Sequence, residues 1–359
     1  MFTRIPRILM IAIVGVLTLG IGVGTALLAV ATPRHAATAA PVYGVADPTL
    51  LNEPAATQVA QLEAMKAMGI TSVRLDANWY WGQINGPGSF VWAPLDEAMA
   101  SIQKVGLSAD LILDGCPPWA SVPAANGAEF SQPASPAAFA TWARAVAARY
   151  GPEGAKYIEI WNEPNLVGSW APTPNPAAYT QDLVASYAAI KAVDPSAVVL
   201  SGGLAPAYNT STTINATTFL TDMYADGAKG SFNGVGVHPY SFPAAPDTYE
   251  SWSAWSQMAA ASTSMRSVMI ANGDAAKKLW ITEYGAPTTG PVAISEADQS
   301  LDLVQAIAQV KAVSYIGSLY IYTWQDVDSV GVGNDGYGML SDTGAQKPSY
   351  AAVTAALTP

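Results

Sequence analysis

Histidine and cysteine are almost missing from this 359-residue chain, which has two of the first and one of the second. A lone Cys116 cannot close an intrachain disulfide or build a zinc–thiolate cluster. His35 lies close to the N-terminus, so the rest of the chain has one candidate imidazole, His238, and a His-rich metal site is excluded. Charge is scarce as well: Asp, Glu, Lys and Arg make up 12% of residues, about half the usual share. What charge there is leans acidic, with 16 basic against 27 acidic residues and a net of −11. Arg4, Arg7 and Arg34 all precede the first acidic residue, Asp47, so the stretch beyond residue 39 carries a net charge of −14. A nucleic-acid partner needs a positive footprint, and this chain offers none. No metal and no cofactor are expected.

The N-terminus differs in kind. Arg4 and Arg7 precede an uncharged, Ile-, Leu-, Val- and Ala-rich stretch from Ile8 to Pro33, and a small-residue segment closes on Ala37-Thr38-Ala39. A positive start, an apolar middle and an Ala-x-Ala end make a secretory signal. The apolar stretch could also cross a bilayer as a helix, and basic residues before it put the body outside whether or not a peptidase cuts. Residues 1–39 are therefore expected to be a signal peptide or an uncleaved membrane anchor through residues 8–33. Residues 40–359 then form one extracellular or cell-surface domain.

Hydrophobic residues are plentiful, at 50%, and include 11 Trp beside 16 Tyr. Beyond residue 39, β-branched or aromatic runs alternate with longer helix-like stretches. The spacing predicts strands at Val42 to Val45, Ser72 to Asp76, Ala109 to Asp114, Tyr157 to Trp161, Ala197 to Ser201, Gly234 to His238, Leu279 to Glu283 and Leu319 to Trp324. Helices are predicted at Pro54 to Met68, Pro94 to Val105, Pro136 to Tyr150, Pro176 to Val193, Thr217 to Ala228, Glu250 to Asn272, Glu296 to Val313 and Ser349 to Leu357. Several begin with Pro after a capping Asn175 or Ser135 and stop near Gly69, Gly106 or Gly151. Eight β-then-α units close most naturally into a (β/α)8 TIM barrel of the α/β class.

In that architecture chemistry sits at the C-terminal ends of the strands. The polar and aromatic residues there are Arg74 and Asp76 on the second strand, Asp114 on the third, Asn162 and Glu163 on the fourth, His238 and Tyr240 on the sixth, Glu283 and Tyr284 on the seventh, and Trp324 and Asp326 on the eighth. Two of these are glutamates in apolar contexts, Trp161-Asn162-Glu163-Pro164-Asn165 and Trp280-Ile281-Thr282-Glu283-Tyr284-Gly285. With these motifs the chain resembles the retaining glycoside hydrolases built on a (β/α)8 barrel with catalytic acids on strands four and seven. The likeness is to the family 5 cellulase-like and family 39 β-xylosidase-like members. It extends to Pro117-Pro118-Trp119-Ala120-Ser121, Tyr337-Gly338-Met339-Leu340 and Lys347-Pro348-Ser349-Tyr350.

The resemblance implies an exported glycosidase acting on a poly- or oligosaccharide, with Glu163 as acid/base and Glu283 as nucleophile. It further implies that Arg74 orders the nucleophile, Tyr240 donates to it and His238 lines the subsite. Asn162 would bond the sugar 2-hydroxyl, Trp324 would form the floor, and Trp119 would be a substrate-binding residue. Retention needs two carboxyls about 5 to 5.5 Å apart, one kept protonated and one kept ionised. An apolar wall such as Trp161 would favour the proton on Glu163. Asp114 and Cys116 stand where many cellulase-like members carry a His, so that part of the pattern does not transfer. A carbohydrate-binding protein without turnover, or a transglycosylase using the same intermediate, would carry much of the same pattern.

Other signals point to structure. Glu159, two residues before Asn162's neighbour Trp161, reads as a residue deeper in the barrel. Asp326-x-Asp328 with Gly331, Asn334 and Asp335 faintly resembles a calcium loop, but Val330 and Tyr337 occupy ligand positions, which favours a plain loop. Trp79, Trp81, Trp92, Trp119 and Trp170 fall in predicted loops, and two or three of them are expected in the cleft.

Overall fold

Eight strands pair in chain order, every neighbour parallel, and the last pairs with the first to close a barrel. The computed structural model describes residues 40–327 and 336–358. The N-terminal segment read as a signal or anchor lies outside them, as does most of the stretch considered for calcium. Strands β1 (Val42–Ala46), β2 (Ser72–Asp76), β3 (Ser108–Leu113), β4 (Ala155–Asn162), β5 (Val198–Gly203), β6 (Gly234–Val237), β7 (Lys278–Tyr284) and β8 (Ile316–Tyr322) form the ring. Around it run α1 (Ala55–Ala67), a one-turn α2 (Trp79–Gly82), α3 (Ala93–Val105), α4 (Pro136–Tyr150), α5 (Pro176–Lys191), α6 (Ala216–Ala225), α7 (Met265–Ala271), α8 (Glu296–Ala312) and α9 (Pro348–Leu357).

The helix starts follow their capping chemistry. The side chains of Ser135, Asn175 and Ser295 accept hydrogen bonds from the backbone N–H of Ala138, Ala178 and Asp298, and Pro136 and Pro176 take the first helical position, where no N–H is needed. Gly106 ends α3 in the left-handed conformation at φ 79°. Inside the barrel, large rings fill space that glycine leaves on neighbouring strands. The ring of Tyr320 occupies the position a Cβ of Gly44 would take, and Trp280 does the same at Gly234 and Gly317. The Tyr320 hydroxyl donates to Ser72 Oγ at 2.9 Å, tying β8 to β2.

Two expectations need correction. The helix predicted over Glu250 to Asn272 is broken: a π-helical turn, Ser256–Ala260, precedes α7, which starts afresh at Ser264 with a reciprocal capping box to Ser267. The last strand ends at Tyr322, short of Trp324.

Candidate active site

At the end of β4 the chain abandons simple alternation. Glu159 points into the barrel, where it accepts from Arg74 Nε at 2.6 Å, from Gly203 N at 2.6 Å and from the Thr282 hydroxyl at 3.0 Å. Trp161, on the same parity, would follow it inward but adopts φ 72°, a left-handed conformation uncommon outside glycine. Its ring instead packs edge-on against Phe139 of α4 and Trp170, so Trp161 is core and not a wall of the cavity, contrary to expectation. The ladder to β5 pairs Ile160 with Ser201 and then Asn162 with Gly203. This one reset turns both Asn162 and Glu163 toward the barrel mouth, Glu163 itself at φ 48°. Such strain persists only where the surroundings over-determine it, and it clusters at working sites.

Arg74, buried on β2, joins three strands. Besides Glu159 it donates through Nη1 to Glu283 Oε1 on β7 at 2.5 Å and through Nη2 to Asn162 Oδ1 on β4 at 2.9 Å. Tyr240, beyond β6, donates its hydroxyl to the other oxygen of Glu283 at 2.9 Å. His238 is wholly enclosed. Its Nδ1 lies 2.9 Å from Glu163 Oε1 and 3.6 Å from Glu283 Oε2, while Nε2 lies 3.1 Å from the Thr282 hydroxyl. Expected to line a subsite, His238 instead stands behind the two glutamates and holds one of them.

These contacts set the electrostatics. Burial pushes the Glu283 carboxyl upward, but His238, the Arg74 guanidinium and the Tyr240 hydroxyl outweigh it and leave the group below the usual carboxylate value. Burial pushes His238 down, and the charges of Glu283 and Glu163 reverse this, so the imidazole sits above its ordinary value. Carboxylate oxygens of Glu163 and Glu283 and a nitrogen of His238 all fall within 4.8 Å of one another. That spacing could hold a cation, yet Glu283 is already neutralised by a guanidinium and an O–H donor, which a metal would have to displace. The three form a hydrogen-bonded acid–base cluster.

A cavity of about 300 Å³ opens over this cluster, lined by Arg74, Asp76, Asn162, Glu163 and Glu283 together with Asp47, Asp114, Phe130 and Tyr322. Trp324 is not part of it. Because β8 ends at Tyr322, Trp324 is only 3% exposed and its ring packs on Tyr350 of α9, while Tyr322 supplies the aromatic surface at the mouth. Trp119 is partly exposed on the loop after β3, edge-on to Trp79 and bonded through Nε1 to Gln83 O; it too is away from the cavity lining. Trp79 and Trp170 are core. A second cavity of about 310 Å³, lined by Trp81, Trp92 and Trp142, meets the first at Asp76. Sequence reading overlooked Asp47 and Tyr322, although both stand at a strand's C-terminal end, where the barrel rule would have found them.

The sequence profile of the Cellulase family, glycosyl hydrolase family 5, matches residues 39–319. The chain belongs to glycosyl hydrolase family 5. No curated protein sequence matches this family 5 chain. Among solved structures it is similar to a family 39 glycoside hydrolase from the gut symbiont Bacteroides cellulosilyticus WH2, at TM-score 0.67 and 18% identity, over 88% of this chain and 63% of that one. It is similar to a family 5, subfamily 18 protein from Streptomyces cattleya in complex with GlcNAc, at TM-score 0.67 and 18% identity over 90% and 82% of the two chains. The exo-β-1,4-mannosidase from Opitutaceae bacterium strain TAV5 gives TM-score 0.61 and 16% identity over 88% and 59%. The family 5 chain thus spans less than two thirds of the first of these relatives, and at such identities the likeness is one of fold.

Proposed function

We propose that this family 5 protein is a retaining glycosidase that cleaves O-glycosidic bonds of a poly- or oligosaccharide by double displacement. The observation that carries the reading is the unequal pair of glutamates at the barrel mouth. Their carboxylate oxygens come within 4.8 Å, on the close side of the spacing that separates retaining from inverting enzymes. Only Glu283 is held by both a guanidinium and a phenol, which keep it ionised for attack on the anomeric carbon. Glu163, held by His238, protonates the departing oxygen and then takes a proton from water as the glycosyl–enzyme bond is broken. Because Arg74 engages Asn162 Oδ1, the amide NH₂ is left to donate to a sugar hydroxyl, a contact that strengthens in the transition state.

The N-terminal segment, Arg-flanked and then apolar through residues 8–33, supports export of the domain to the cell surface or medium; cell fractionation would test it, and a cytoplasmic protein would refute it.

Catalysis is tested with the full chain on a panel of aryl β-glycosides and oligosaccharides. Glu163→Gln and Glu283→Gln are each expected to lower kcat at least 1,000-fold, and a 2-fluoro glycoside should add mass at Glu283. Proton NMR should show the product first with the anomeric configuration of the substrate. Inverted product, or a label on another residue, sinks the mechanism. Sugar transfer to an added acceptor would mark a transglycosylase, and binding without turnover a carbohydrate-binding protein.

A further inference from the structure

Two buried carboxyls line the cavity, and each has one oxygen with no hydrogen-bond partner among the described residues. Asp47 follows β1 and is 1% exposed; its Oδ1 accepts from the backbone N–H and hydroxyl of Thr49 at 2.9 and 2.7 Å, which fixes the group and leaves Oδ2 with no partner among the described residues. Asp114 follows β3 and is 3% exposed, with Oδ1 likewise unpartnered. Both line the cavity that holds Glu163 and Glu283, with Asp76 of β2 beside them. Buried polar atoms are nearly always paired, and the exceptions mark strain or a place where something else binds. A cation is the first candidate, but among the described residues only Glu163, His238 and Glu283 bring ligand atoms to a common point; the three aspartates do not. Polyhydroxy ligands suit the arrangement better, because adjacent hydroxyls present separate donors to separate acceptors.

We infer, resting on the glycosidase reading above, that Asp47 and Asp114 determine sugar specificity by hydrogen-bonding two different hydroxyls of a neutral saccharide unit seated against Glu283. The arrangement trades stability for recognition: an unpartnered buried carboxyl is a cost to the empty protein and is relieved by the ligand.

The test uses the full chain with 4-nitrophenyl β-D-glucoside, mannoside, galactoside, xyloside and glucuronide, and then the monodeoxy versions of whichever neutral sugar is preferred. Asp47→Asn and Asp114→Asn, with Asp47→Ala and Asp114→Ala as second variants in case one form folds poorly, are compared with the parent. Each is expected to lower kcat/KM for the neutral sugar about 10- to 100-fold, and each should erase the penalty for removing one hydroxyl, a different one for each aspartate. The melting temperature should hold or rise by about 2 °C. A lowered melting temperature with the deoxy penalties unchanged would mean that both residues are merely structural and would overturn the inference, as would a preference for the glucuronide. Binding of the same glycosides is read in parallel by ligand-observed NMR, which needs no turnover. Aspartate-dependent binding without hydrolysis would sink the glycosidase reading and keep this one; hydrolysis with aspartate-independent binding would do the reverse; the absence of both binding and hydrolysis would sink both.

Discussion

A single buried guanidinium decides the charge balance of the site. Arg74 offsets Glu159 and Glu283 at once, so its removal strands two carboxylates in the barrel. Arg74→Met is expected to cost about 3 to 5 kcal/mol of unfolding free energy, measured in urea, beyond the loss of activity. Arg74→Lys should fail as well, since an ammonium cannot span three acceptors in one plane. Glu283 and His238 shift in opposite directions, and each leaves a signature against pH. The depressed Glu283 contributes stability that is whole above the ordinary carboxylate value and is lost as pH falls through its lower folded value. The elevated His238 contributes stability that is whole below about 6.5 and is lost as pH rises through its folded value. Unfolding free energy followed from pH 3 to 9 should therefore fall at both ends, with His238→Gln flattening the alkaline side. Tyr240→Phe removes a donor to the charged form of Glu283, so the acid limb of kcat/KM should move to higher pH.

At the scale of elements, the strands were legible because both faces of a barrel strand are buried and their runs stand out against capped helices. Strand β2 was read to the residue. What local pattern could not supply was conformation at strand ends. Nothing in Trp161-Asn162-Glu163 announces two left-handed residues, and parity alone would have put Trp161 in the mouth and turned Asn162 away. The same assumption carried β8 through to Trp324 and gave it the role of a floor, whereas the chain leaves the ring at Thr323, whose hydroxyl donates to Ala46 O at 2.7 Å. The π turn and restart before α7 had a visible cue, the Ser264-x-x-Ser267 box, hidden inside an otherwise apolar-periodic run. The two glutamates, Arg74 and Tyr240 were legible as a set because their residue types suit one chemistry. Of the pocket aspartates, Asp76 and Asp114 were placed at the rim without a role and Asp47 was missed, because an Asp at a strand end is also an ordinary loop residue. The β4 reset depends on small neighbours across the ladder. A Cβ on Gly203 would collide with the His238 ring and the Thr282 hydroxyl, and one on Gly202 with the Trp161 carbonyl oxygen. Gly203→Ala is accordingly expected to lower kcat more than 100-fold by displacing His238 from Glu163, while far-UV circular dichroism stays unchanged.

Over the whole molecule, an acidic balance and a closed ring govern behaviour. With the net charge of −11, uronic-acid glycosides should be the poorest substrates at low ionic strength and should improve relative to neutral ones as salt is added; indifference to salt would rule out long-range repulsion. Closure depends on rings that bridge distant parts of the chain, so Tyr320→Ala should cost about 3 to 5 kcal/mol in urea unfolding, and Tyr320→Phe, which loses only the bond to Ser72, about 1. No helix among the described residues is long and apolar enough to cross a membrane. The reach of Arg74 across β2, β4 and β7 has a further meaning for descent. A gene divided between β4 and β5 would leave Arg74, Asn162 and Glu163 on one polypeptide and His238, Tyr240 and Glu283 on the other. Duplicating either half could rebuild a ring of eight strands, but it would double one set of partners and omit the other. A ring that brings these partners together therefore needs two distinct halves.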